Sequence, residues 1–215
     1  MSEGAGKPVE RLLEVHEAEL ERIARALHDD LGQQVASLSI LTGTLKRRLP
    51  PEDSENRQQA DRIREKLIAL AESMGRLSLE LYPSVLEHAG IAVALRQLCD
   101  RFAAMSRIPI SYESSGDFKD VPFRLALCLY RIVQDVLGSV ARSGSPEASV
   151  RLARLGSEVE LSIADPGPSL VVGLRDSDDG LGLCVLQNRV RSMCGEIRLE
   201  NSPPPESRLN VRVAC

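Results

Sequence analysis

The 215-residue chain contains no tryptophan and only 3% aromatic residues. That removes the stacking platforms on which single-stranded nucleic acid is held. No apolar run approaches the ~20 residues that a membrane helix needs. No basic, apolar leader opens the chain, so neither secretion nor membrane insertion is expected of it. An excess of one charge is missing too: 27 Lys and Arg stand against 31 Asp and Glu, a net charge of −4. Nucleic acid and anionic membrane are therefore not expected partners. The five cysteines, Cys99, Cys128, Cys184, Cys194 and Cys215, are odd in number and never two or three residues apart. This excludes a local zinc knuckle and fits reduced thiols in the cytoplasm. What is present is an ordinary soluble mixture, 43% hydrophobic and 27% charged, enough for one large domain or two small ones.

Two halves differ in texture. After a short flexible N-terminus, residues 1–8, the stretch 9–82 shows almost no strand signal. Residues that are apolar except for Gln34 recur there at alternating steps of four and three: Leu20, Ala24, Leu27, Leu31, Gln34, Leu38, Leu41, Leu45, then Ile63, Leu67, Leu70, Met74, Leu77, Leu81. Each series keeps one seam along a helix. Pro50 to Asn56 is a helix-breaking polar turn between them, so an antiparallel hairpin is expected. One hairpin cannot bury seams this long, and two would form a dimeric four-helix bundle. Tyr82-Pro83 ends the region. In residues 83–215 helices are expected at Ala92–Met105, Pro122–Arg142 (with Asp120 as a possible cap) and Leu183–Met193. Strands are expected at Ile108–Tyr112, Ser149–Leu155, Val159–Ala164, Ile197–Glu200 and Leu209–Val213. Several strands follow one another through short turns, which favours an antiparallel or mixed sheet with helices on one face, an α+β sandwich.

His28 stands beside the first seam, since Leu27 and Leu31 are its members. Neutral imidazole is a competent nucleophile near pH 7, and the adjacent Asp29 is placed to take a proton or fix the tautomer. Gln33, four residues after Asp29, shares its helix face and with it could hold a water. Gly32 costs ~1 kcal/mol inside a helix and calls for a reason, such as the close approach of another chain.

Residues 22 to 33, Arg-Ile-Ala-Arg-Ala-Leu-His-Asp-Asp-Leu-Gly-Gln, resemble the phosphoacceptor signature of sensor histidine kinases of the nitrate-sensor and desaturase-regulating subclass. Leu81 to Ile91 resembles the junction that follows their dimerisation hairpin. The resemblance runs from about Val9 to the C-terminus. It implies phosphorylation of His28 from ATP, Asp29 as acid or base, and Gln33 positioning water to dephosphorylate a response regulator. The implied partners are a second copy of the chain and a receiver domain. The implied setting is cytoplasmic, alone or as the cytosolic part of a membrane sensor.

The second half would then be an ATP-binding α/β sandwich of the gyrase and chaperone (GHKL) type. Its first box, Leu129 to Leu137, has Asp135 where the family has Glu. Ser139 stands in place of a magnesium-binding Asn, and Ser143 in place of a His or Lys near the phosphates. Asp135 and Ser139 are thus weak magnesium candidates. In Asp165-Pro166-Gly167-Pro168-Ser169, Asp165 would accept the adenine amino group and Gly167 would admit the base, while Ser169 replaces a glycine. Asp179 to Leu183 is intact, and Gly180 and Gly182 precede a helix whose N-terminus suits phosphate. Residues 168–179 would form a short lid. Two readings follow: a kinase that charges His28 from ATP, or a phosphotransfer module (a pseudokinase) whose sandwich has lost its nucleotide.

Overall fold

A computed structural model describes residues 6–166, 182–201 and 207–215, the side chains of residues 6–10, 13, 14, 182 and 201 excepted. The chain divides into two compact units: Leu12–Ser84, which holds most of the first helix, and Val85–Cys215, with which the residues before Leu12 are grouped.

In the first unit, α1 (Gly6–Arg25) runs through a six-residue π-helical segment, Ala26–Leu31, into α2 (Gly32–Arg48), and α3 (Ser54–Leu81) returns. The turn is closed by side chains. Asp53 caps α3 by accepting the Asn56 N–H at 3.3 Å. Arg57 donates to the Lys46 and Leu49 carbonyls, both at 3.1 Å, adding to the Leu49 N–H that already reaches the Lys46 carbonyl at 3.3 Å at the end of α2. Lys46 Nζ meets Asp61 at 2.5 Å across the pair.

The expected single seam is split in two. Ala24 is buried and Leu20 and Leu27 half-buried, but Leu31, Leu38, Leu41 and Leu45 are 44–61% exposed. Beyond the π segment the residues that turn inward are Val35, which is buried, and Ser39, Thr42 and Lys46, which are half-buried. The cause is the wide turn. The Gly32 N–H reaches the Leu27 carbonyl, five residues back. One extra residue in a turn advances the helix phase by about 100°. On α3 the heptad divides differently. Leu67, Met74 and Leu81 are buried or half-buried, whereas Ile63, Leu70 and Leu77 are 42–50% exposed.

The second unit is an α+β sandwich. Its elements in order are α4 (Val85–Ser106), β1 (Ile110–Ser115), α5 (Phe123–Ser143), β2 (Ala148–Leu155), β3 (Glu158–Asp165), α6 (Gly182–Ser192), β4 (Glu196–Asn201) and β5 (Ser207–Ala214). The sheet order is β1-β2-β3-β5-β4, with β1 and β2 parallel and the other pairs antiparallel. Val150 and Leu152, Val159, Leu161 and Ile163, and Leu209, Val211 and Val213 alternate along the strands into a core shared with Leu129, Ile132, Val133 and Val136 of α5. The intervening residues carry exposed ion pairs such as Arg151–Glu113 at 2.9 Å, each worth ~0–1 kcal/mol.

Three boundaries differ from expectation for local reasons. Gly90, at φ 74° and ψ 175°, breaks the first turn of α4 from its remainder. Strand β1 starts two residues later than expected, because Pro109 has no N–H to give; its carbonyl accepts the Ala148 N–H at 3.0 Å instead. Helix α5 begins after Pro122 with no side-chain cap, and Asp120 pairs with Arg154 at 3.1 Å. The expected flexible N-terminus meets helix from Gly6 onward, and residues 1–5 lie outside the described residues.

Helix α6 stops by geometry rather than by proline. The Cys194 N–H bonds to the Arg191 carbonyl and the Gly195 N–H to the Val190 carbonyl, both at 3.0 Å, a Schellman arrangement. Its left-handed position is held by Cys194, at φ 54°, where glycine is preferred. Gly195 makes the close approach: a Cβ there would lie 2.6 Å from Val213 Cγ2 and 2.8 Å from the Arg212 carbonyl. Cys194→Gly is expected to stabilise the second unit by ~1 kcal/mol, raising its melting temperature by roughly 2–4 °C. An unchanged or lower melting temperature would contradict the strained cap.

Candidate functional site

The π segment carries the first group of site residues. His28 and Asp29 lie within it and Gln33 just beyond, all three exposed. Two bonds hold the wide turn. The Gly32 N–H is shared between the Leu27 and Asp29 carbonyls, and the buried Ser78 hydroxyl of α3 donates to the Ala24 carbonyl at 3.0 Å. The second bond anchors the helix four residues before His28. A π turn widens the backbone locally and presents its side chains at a different phase from the flanking helix. The cations just before it are engaged: Arg25 pairs with Glu21 at 2.6 Å and Arg22 with Glu19 at 2.7 Å. The hydrogen bond from Arg22 holds the Glu19 carboxyl below its ordinary pKa.

Gly32 has ordinary helical angles (φ −58°, ψ −43°). A Cβ added there would meet only the Leu27 carbonyl, at 3.8 Å. Alanine would fit inside the protomer, so the fold of one chain does not demand glycine. His16 and His88 are also exposed, and both lie outside this segment.

The second group lies in the sandwich. Asp165 ends β3 on the inward row of Val159, Leu161 and Ile163, and is wholly buried. Its Oδ1 accepts a short hydrogen bond from the Ser145 hydroxyl, which also lies 3.0 Å from the Glu147 carbonyl. Ser145 is buried as well, and the sequence reading passed over it. The signal available was only its place in Ser143-Gly144-Ser145-Pro146, just after a helix end. A cleft of about 490 Å³ lined by Pro109, Ser149 and Pro166 also touches Asp165, reached from the outward face of the sheet.

On α5, Asp135 is exposed, while Ser139 one turn on is 1% exposed and its Oγ has no hydrogen-bond partner. The Ser143 hydroxyl turns back onto its own helix, at 3.0 Å from the Ser139 carbonyl and 3.1 Å from that of Val140. Gly167, Ser169, Gly180 and the expected lid at 168–179 lie outside the described residues, and Gly182 opens α6.

Magnesium prefers charged or carbonyl oxygens in near-octahedral array. Here the candidate donors are one exposed carboxylate, Asp135, and one buried neutral hydroxyl, Ser139, so these two do not fit the ion as a pair. Among the described residues no cluster of three His, Cys, Asp or Glu is placed to hold a metal. No described helix is long and apolar enough to cross a membrane.

Comparison with known proteins finds histidine kinases similar to the hairpin and to the chain. The family model described as "Histidine kinase" matches residues 19–86, which spans the π segment, both inward faces and the first residues of α4. The sensor histidine kinase MctS of Rhizobium johnstonii is 27% identical over 197 residues, covering 90% of this chain and 42% of the relative. The chain thus spans about two fifths of that curated relative's length. Among solved structures, the histidine kinase domain of the Erythrobacter litoralis EL346 blue-light activated histidine kinase is 15% identical, covers 85% of this chain and 94% of that one, and superposes with a TM-score of 0.48. A mycobacterial sensor histidine kinase, MprB, is 23% identical over 56% of this chain and 93% of its own, with a TM-score of 0.40. Residues 19–86 thus match the histidine kinase family model, and over most of its length the chain is similar to a sensor histidine kinase.

Proposed function

We propose that the chain is the core of a two-component histidine kinase, with residues 9–82 as a dimeric phosphotransfer bundle and 83–215 as a domain that binds adenine nucleotide. The observation that carries this reading is the exposed His28–Asp29 pair in the π segment of the matched hairpin, flanked by apolar stripes that one chain leaves uncovered. His28 would attack the γ-phosphorus of ATP. An N–P bond forms, the bond to the ADP oxygen breaks, and Asp29 takes the proton from the other ring nitrogen. In the second step an aspartate of a receiver domain attacks the phosphorus, the N–P bond breaks, and the ring recovers its proton from Asp29. Gln33 would orient the water that later hydrolyses the receiver's acyl phosphate. Gly32 would give the partner close access to the helix. Phosphoryl transfer is chiefly positioning and charge neutralisation, and Asp165 supports the positioning by offering a buried carboxylate to the adenine amino group. By resemblance, Gly167 would admit the base, and phosphate contacts are assigned to Gly180 and Gly182.

Ser139 and Ser143 favour a second reading, in which His28 receives its phosphate from a receiver domain and the sandwich is a nucleotide-poor remnant. Neither hydroxyl is disposed toward a metal–triphosphate complex. The expected result is weak ATP binding that magnesium changes less than about threefold. Losing one charge-assisted contact set, ~2–4 kcal/mol, weakens affinity or rate by roughly thirty- to a thousandfold. Calorimetric titration with ATP, with and without magnesium, checks this. Tight and strongly magnesium-dependent binding would contradict it and support a fully competent kinase. Undetectable binding of both ATP and ADP would leave the phosphotransfer reading alone.

A further inference from the structure

We infer that Ser145 is the positioning residue that sets base selectivity in the sandwich, by fixing the carboxylate plane of Asp165. This rests on the reading of Asp165 as an adenine acceptor. Three facts point to it. Asp165 is wholly buried at the end of β3 and Ser145 is 4% exposed, so solvent does not compete for either group. The Ser145 hydroxyl donates to Asp165 Oδ1 and also sits 3.0 Å from the Glu147 carbonyl. Its one proton faces both acceptors, the carboxylate and the backbone carbonyl just before β2, the neighbouring strand, in a three-centre arrangement. The residues are 20 apart in sequence, so the contact exists only in the folded sandwich.

A carboxylate rotates about its last side-chain torsion with little preference of its own. A buried charge-assisted bond from a hydroxyl tied to the sheet removes that freedom. An acceptor held in one plane rewards a donor that arrives in that plane, such as the exocyclic amino group of adenine. It penalises hypoxanthine, whose carbonyl oxygen at the same position would face the carboxylate oxygen with no proton between them. Ser145 never touches the base. Its effect belongs to the difference between amino and oxo purines, not to affinity in general.

The test is calorimetric binding of ADP and of inosine diphosphate to the whole chain, wild type against Ser145→Ala and Ser145→Cys. The cysteine keeps a donor at the same position, larger and weaker than the hydroxyl. Wild type is expected to favour ADP by at least about tenfold, the scale of one hydrogen bond to a charged group. In Ser145→Ala that preference should fall by about tenfold with inosine diphosphate binding changed less than twofold, and Ser145→Cys should lie between. Should the alanine variant not fold, the cysteine variant alone is read against the same ratio. An unchanged ratio, or equal loss of both nucleotides, would overturn the role of Ser145 while leaving nucleotide binding in place. Equal binding of both nucleotides by wild type would show that Asp165 does not read the base. Failure of wild type to bind either would reject the nucleotide reading and this role together.

Discussion

Replacing Leu38 and Leu70 by Asp, singly, is expected to convert the proposed dimer to a monomer while leaving each chain helical. Leu38 is 51% and Leu70 48% exposed, so neither charge needs burial for a single hairpin to form. Leu31 at the end of the π segment with Leu38 and Leu45 on α2, and Ile63, Leu70 and Leu77 on α3, each repeat every seven residues, the spacing of a helix seam. Contiguous exposed apolar stripes of this kind mark an interface. In a two-fold bundle each substitution occurs twice. An unpaired buried carboxylate costs roughly 3–5 kcal/mol, so the pair should weaken association by a factor on the order of ten thousand or more. Light scattering at micromolar protein checks this. A dimer that survives either substitution would place the interface elsewhere, and a wild-type chain that is monomeric would refute the bundle. Leu67 is the wrong site for the test: it is half-buried within the hairpin, and a charge there damages the chain's own packing.

Gln33→Ala is expected to slow dephosphorylation of a bound receiver by at least about tenfold while His28 is phosphorylated as in wild type. Gln33 is exposed, stands four residues after Asp29 and makes none of the bonds that hold the π segment. Its loss therefore removes a water-orienting amide without moving the histidine. Removing one positioned hydrogen-bonding group from a reaction of this kind costs ~10²–10³ when its partner is a developing charge, and less for a neutral water. Measuring acyl-phosphate decay on the receiver beside labelling of His28 separates the two. Equal loss in both assays would make Gln33 structural, and no change in either would remove it from the site.

The hairpin and the sandwich were legible because their signals are periodic. Alternation every two residues marked β2, β3 and β5, and steps of four and three marked α1 to α3. What periodicity could not show was which neighbour each apolar position faces. The series from Leu20 to Leu45 fits one straight seam, yet the wide turn at Ala26–Leu31 sends Leu31 and Leu38 outward and Val35 inward. That choice is made by backbone bonds and by Ser78 on another helix, neither of which leaves a mark in the local pattern. The same holds in the sandwich. Asp165 was singled out by the resemblance of its segment to a nucleotide-binding box, but Ser145 became visible only when folding set it against that carboxylate. Ser139 read as a shortened metal ligand. The structure adds that α5 packs it into the core, where its hydroxyl meets no partner.

Phosphate on His28 is the central claim, and the most direct measurement is site-mapped, acid-labile labelling of the intact chain. Protein is incubated with radiolabelled ATP and magnesium and, in parallel, with a phosphorylated receiver domain; the labelled peptide is then identified, with His28→Gln as control. The account predicts label that is lost in acid, resides on His28 by at least one of the two routes, and is absent from His28→Gln. Label on His16 or His88, label persisting in His28→Gln, or none on wild type by either route would contradict it.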